Sequence, residues 1–158
     1  MTPRYWLMKS EPDVFSIFDL EKSPKKTTGW EGVRNYQARN FLRDDIKKGD
    51  GVLFYHSRTK PMAVVGTAKV VKDGYPDPLQ FEPSSPYFDP QSSKDNPRWY
   101  AVDIQLEEIF STPVTLHDIK QTPSLDDMPL VQKGMRLSVQ PVKSKQWTII
   151  VKKGKHEA

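Results

Sequence analysis

Between positions 30 and 42 the chain gathers Trp30, Arg34, Asn35, Tyr36, Arg39 and Asn40. Trp30 and Tyr36 offer flat π faces. Asn35 and Asn40 carry amides that can read a donor/acceptor edge. Arg34 and Arg39 add charge and a planar fork. Together these chemistries suit gripping a nucleobase or a similar flat polar heterocycle. Taken singly, Trp30 reads equally well as a core aromatic, and the two arginines as a solvated helix face. The cluster says more than any member.

A second set with recognition chemistry is scattered along the chain: Lys9, Ser10, Tyr55, His56, Ser57, Arg136 and Ser138. These residues fall mostly at strand ends, where the side chains of a small barrel converge on one rim. Catalysis fits them less well. Of the three histidines, His56 alone is placed for chemistry, His117 lying in a short helix and His156 in the tail. Ser57 follows His56 on a strand, so their side chains point to opposite faces. A nucleophile needs a base within hydrogen-bond reach and an orienting third group. An enzyme acting on a modified nucleoside or small amide would have to draw on Ser10, Asp50, His56 and Ser57, and it stands as the alternative.

With no cysteine in the sequence, disulfides, thiolate nucleophiles and Cys-based metal sites are excluded. No paired histidine spacing suggests a metal site. Asp44-Asp45 and Asp126-Asp127 read as helix-end and capping residues. No glycine loop is built to cradle a phosphate, so neither metal nor cofactor is expected.

The 158 residues suffice for one domain with its own core, read over 1–158 with 152–158 as a flexible tail. A net charge of +4 and a pI near 9.2 permit nucleic-acid binding without requiring it. The start lacks a signal-peptide run and no stretch approaches a membrane span. The expectation is a soluble, cytoplasmic monomer.

These residues need elements to hold them. Tyr5 to Met8 suits a buried strand. Ser16 and Asp19 have capping-box spacing for a short helix. Asn35 is placed to cap a helix running to about Arg43, with Ala38, Phe41 and Leu42 on one side. Gly51 to His56 reads as a strand. Ala63 to Val71 is a β-branched run that Gly66 should bend or bulge. Tyr100, Val102, Ile104 and Leu106 alternate along another strand.

Between these last two, Gly74 to Arg98 holds six of the fourteen prolines and four aromatics, which predicts an ordered excursion across the body. It could also dock a protein partner. Thr115/Asp118 and Ser124/Asp127 predict two more short helices. Arg136 to Pro141 reads as a last strand. Ser144 to Val151 reads either as a closing helix capped by Ser144 and stopped by Gly154, which is favoured, or as another strand. The sum is an α+β domain on a small, partly open barrel.

Tyr5 to Pro12, Trp30 to Leu42, Gly51 to Ser57, Val65-Gly66, Tyr75 to Pro78, Pro97 to Tyr100 and Arg136 to Val139 closely resemble the EVE domain family. The resemblance runs from about Tyr5 to Trp147. It implies a PUA-like fold, a small open β-barrel with peripheral short helices, related to YTH and ASCH domains. It also implies a nucleic-acid-binding module, for DNA or RNA, whose pocket accepts a modified base such as methylated or hydroxymethylated cytosine. By analogy with the aromatic cage of YTH domains, Trp30 forms one wall. Ser10 and Asn35 contact the base edge, and Tyr55 or Tyr36 supplies a second wall. Lys9, Arg39 and Arg43 are the expected phosphate contacts.

Overall fold

The computed structural model describes residues 3–155. Its spine is β1 (Tyr5–Ser10), buried on both faces. Trp6 and Met8 enter one core and Leu7 enters another on the opposite side. That is the period-2 alternation of a strand covered on both sides. β1 runs parallel to β3 (Gly51–His56), from Tyr5 opposite Gly51 to Ser10 opposite His56. A parallel pair cannot be joined by a tight turn and needs a long crossover. Residues 11–50 make it, carrying α1 (Ile17–Lys22), β2 (Thr27–Gly29) and α2 (Tyr36–Asn40). This crossover carries Trp30 and its neighbours onto the Trp6/Met8 side.

β4 (Ala63–Pro76), β5 (Tyr100–Thr115) and β6 (Val139–Val142) complete one mixed sheet in the order β2-β5-β4-β3-β1-β6. The α+β class holds. The sheet is open, with β2 and β6 as its edges and no pairing between them among the described residues. β4 bends where expected. Its register against β5 shifts between Val64 and Gly66, and against β3 between Phe54 and Tyr55. A Cβ on Gly66 would lie 2.2 Å from the Glu108 carbonyl oxygen, so only glycine lets the strands approach there.

Capping chemistry sets the short helices. Ser16 and Asp19 exchange backbone bonds of 3.1 and 2.8 Å to open α1. The Asn35 Oδ1 accepts from the Ala38 N–H at 3.0 Å to open α2, which continues as a π-helical turn, Phe41–Asp45. Thr115 caps α3 (Leu116–Lys120).

Four expectations are corrected. Ser124 and Asp127 open no α-helix: short 3₁₀ turns at Pro123–Leu125 and Pro129–Val131 occupy that stretch. Asp127 instead accepts from Lys143 Nζ and Gln146 Nε2. The last strand begins at Val139, three residues later than Arg136, and Pro141 is tolerated because β6 is an edge. The closing element is a helix, α4 (Ser144–Gly154), but Lys143 is its N-cap. Its backbone N–H bonds Gln146 Oε1 at 2.9 Å. α4 also carries Lys152–Gly154, expected in the tail, and Gly154 is buried. His156 and the rest of that tail lie outside the described residues.

The proline-rich excursion is ordered, as its aromatics implied. β4 takes its first three residues, and Gln80 organises most of the rest. Fully buried, its Nε2 donates to the carbonyls of Asp77 and Trp99, each at 2.8 Å. Its Oε1 accepts from Ser92 Oγ and from the backbone N–H groups of Arg98 and Trp99. A loop can be buried when its polar groups are satisfied in this way.

Candidate functional site

The site forms where the crossover meets the excursion. At the end of β2 the Trp30 N–H donates to the Val102 carbonyl at 2.7 Å. That bond turns the indole under the sheet edge, against Phe54 in an edge-to-face pair with centroids 5.5 Å apart. Gly32 follows with φ +83°, a left-handed turn that suits glycine. Its N–H donates to Asp77 Oδ2 at 2.8 Å. Asp77 has no exposed surface and also accepts from Leu79 N at 2.8 Å and Arg34 Nη1 at 2.9 Å. Arg34 reaches on to the Tyr87 carbonyl at 2.9 Å. One buried carboxylate thus locks the loop after Trp30 to the excursion.

Between these parts lies a hollow of about 500 Å³, lined by Lys9, Ser10, Trp30, Glu31, Arg34, Tyr87 and Ser138 among others. Trp30 is only 8% exposed, yet it borders open space. Lys9 is half-buried and has no ion-pair partner among the described residues. Burial pushes its ammonium below the ordinary lysine value. Ser10 Oγ donates to the Phe15 carbonyl at 2.6 Å, so it faces the hollow as an acceptor.

Of the residues expected from sequence, the hollow gathers Lys9, Ser10, Trp30, Arg34 and Ser138. The others lie elsewhere. Tyr55 is the clearest correction: adjacent to Phe54 on β3, it points to the opposite face, into the second core. It is 2% exposed, with its hydroxyl pushed up to about 12 by burial. It cannot wall the hollow. His56 lies on the Phe54 face, but its Nε2 accepts the Ile17 N–H at 3.1 Å and caps α1. Ser57 donates its N–H to the Ser10 carbonyl and lies outside the hollow. Asn35 spends its side-chain oxygen on the α2 cap. Arg136 is exposed ahead of β6, and Arg43 holds Asp44 in a two-bond pair at 2.8 Å.

Tyr36, Arg39 and Asn40 form a separate outer feature. Tyr36 stacks on Trp99 at 4.9 Å, and Arg39 covers the Tyr36 ring at 5.0 Å. On the inner side Arg34 lies 5.3 Å from the Trp99 ring and 5.4 Å from that of Tyr87. Rings and guanidiniums therefore follow one another from the hollow outwards in the order Tyr87, Arg34, Trp99, Tyr36 and Arg39. Arg39 donates to Asn40 Oδ1 and the Arg98 carbonyl but has no ion-pair partner among the described residues.

Sequence reasoning missed Asp77, Tyr87 and Glu31. The aromatic content of the excursion was the available signal for Tyr87. Nothing local marks Asp77 as the lock.

The His56 cap has a pH consequence. Burial lowers the imidazole from its ordinary value, partly opposed by Asp19. The unfolded chain therefore takes up a proton first as pH falls below roughly 6.5. Stability is full above that value and declines toward the lowered one. Urea midpoints at pH 7 and pH 5 are expected to fall more for the wild type than for His56→Asn. Glu31, whose carboxyl is raised, contributes with the opposite sign in both proteins and cancels from the comparison.

Three comparisons bear on kinship. The EVE domain family matches residues 4–153. Thymocyte nuclear protein 1 of Rattus norvegicus is 43% identical, the alignment covering 93% of this chain and 72% of the relative. A hypothetical protein from Leishmania major superposes with a TM-score of 0.90 at 44% identity, covering 97% of this chain and 95% of that one. The human THYN1 protein, crystallised in complex with 5-methylcytosine-containing DNA, superposes with a TM-score of 0.90 at 40% identity, covering 98% and 99%. With nearly its whole length matched in sequence and in fold, this chain belongs to the EVE domain family.

Proposed function

We propose that this protein is a non-enzymatic reader of nucleic acid, with the hollow beside Trp30 as the pocket for a modified base. The observation that carries the reading is the indole bordering open space next to a half-buried Lys9 that has no ion-pair partner among the described residues. A base extruded from its stack needs an aromatic face and a few donors and acceptors around it. Lys9 supplies a donor, Ser10 and Ser138 flank it, and Arg34 and Tyr87 close the far side. The 5-methylcytosine-containing DNA held by the human relative supports modified cytosine as the base. On this reading the chain is a cytoplasmic, PUA-like monomer. His56 takes no part in chemistry, since its acceptor nitrogen is engaged.

The strand leaves the pocket along the guanidinium–aromatic ladder, where Arg39 meets a phosphate. Arg43 is a weaker second contact because Asp44 already neutralises it. The test is titration of oligonucleotides with and without 5-methylcytosine across a range of salt. Preference for the modified strand is expected, together with a falling affinity as salt rises. Absence of binding at low salt would end the reading. Arg39→Gln is expected to reduce the salt slope by about 1 and to leave the preference for the modified base unchanged.

A further inference from the structure

The wall of the hollow also carries the Glu31 carboxylate. Glu31 is held rigidly at its base. The N–H groups of residues 30, 31 and 32 donate to the Val102 carbonyl, the Gly29 carbonyl and Asp77 Oδ2 at 2.7, 3.1 and 2.8 Å. Its Oε2, the Tyr75 hydroxyl and Asp103 Oδ1 all border Gly29, where an added Cβ would meet them at 2.9, 2.7 and 3.3 Å. The Tyr75 hydroxyl does not satisfy it, because that proton goes to Asp103 in a 2.5 Å bond. Among the described residues Glu31 has neither a hydrogen-bond donor for its carboxylate nor an ion-pair partner. Its side chain is exposed, on the wall of the hollow next to the indole.

A carboxylate can only accept hydrogen bonds. Set on the wall of the hollow beside an aromatic face, it can exchange solvent for a ligand that brings a donor. We infer that Glu31 is a specificity residue of this pocket, accepting a hydrogen bond from the exocyclic amino group of the bound base. The ligand class is then an amino-bearing base. Thymine is disfavoured, since its carbonyl at the same ring position would face the carboxylate with an oxygen. Partial desolvation by the wall of the hollow, and then the charges of Asp77 and Asp103, raise the Glu31 carboxyl above the ordinary glutamate value. The group gains from a donor for the same reason that it gains from a proton.

The inference rests on the reader reading, and one pair of ligands separates the two. Single-stranded oligonucleotides carrying one 5-methylcytosine or one thymine share the ring methyl and the stacking surface. They differ in the amino or carbonyl group and in the neighbouring ring nitrogen. The wild type is expected to favour 5-methylcytosine about ten-fold. In Glu31→Gln, whose amide can donate as well as accept, that ratio is expected to fall toward one. The variant is expected to melt no lower than the wild type near neutral pH, because it removes a carboxylate from beside two others. Equal binding of both oligonucleotides by the wild type, or an unchanged ratio in the variant, overturns the role of Glu31 and leaves the reader standing. Failure of the wild type to bind either strand overturns both.

Discussion

Asp77→Ala is expected to destabilise the fold by about 3–5 kcal/mol, the range for removing one partner from a buried ion pair. Asp77 is fully buried and accepts from two backbone N–H groups and from Arg34. Alanine leaves all three donors facing a void. The Arg34 side chain, 21% exposed, loses its counter-charge while still half enclosed by the Tyr87 carbonyl and the Trp99 ring. Urea denaturation reads the loss directly. Asp77→Asn separates charge from shape: its side-chain oxygen can still serve Gly32 and Arg34, which share Oδ2, but its amide then opposes the Leu79 N–H and the charge is gone. Its deficit is expected to be the smaller of the two. The damage should also reach the ligand, because Asp77 ties the Gly32 loop to the turn at Leu79, both of which line the hollow. A loss of stability below 1 kcal/mol in the alanine variant would show that other contacts hold the excursion in place.

The role of Asp77 illustrates what the sequence can and cannot reveal. Many strands and caps are local and therefore legible, though Ser124, Arg136 and Ser144 do not play the parts their spacing suggests. Asn35 caps α2, Ser16 and Asp19 box α1, and Gly66 marks the bulge because the chemistry lies within a few residues. The facing of a side chain was legible only where its strand neighbours were weighed together. Tyr55 was misplaced because an aromatic at a strand end resembles a pocket wall, while the alternation set by Phe54 sends it to the other core. Arg34 and Asp77 are 43 residues apart and meet only after the excursion folds back on Gln80. No spacing rule reaches across that distance. The same applies to Glu31, whose unpaired state depends on Tyr75 and Asp103 at two other places in the chain. Asn35 and His56 show a further limit. Both carry recognition chemistry by type, and both direct it to a helix terminus, where four backbone N–H groups need partners.

Trp30→Ala is expected to remove the preference for a modified base, and to do so at a structural cost that the assay must separate from it. The indole is 8% exposed and packs edge-to-face on Phe54, so it belongs to the core as much as to the hollow. Truncating a buried tryptophan costs about 3–5 kcal/mol. Stacking one base on an aromatic contributes roughly 1–3 kcal/mol. The fold therefore loses more than the ligand does, and a weak binder could simply be a partly unfolded one. Trp30→Phe resolves this. It keeps an aromatic face toward Phe54 and toward the base, while shrinking the stacking surface and deleting the indole N–H. Both variants should be melted first, then titrated well below their midpoints with modified and unmodified strands. Expected are a folded phenylalanine variant with a reduced preference, and an alanine variant with none. Arg39 and the basic surface should preserve the salt-dependent component in both. An alanine variant that is folded and keeps the wild-type preference would remove the indole from recognition and leave it a core residue only.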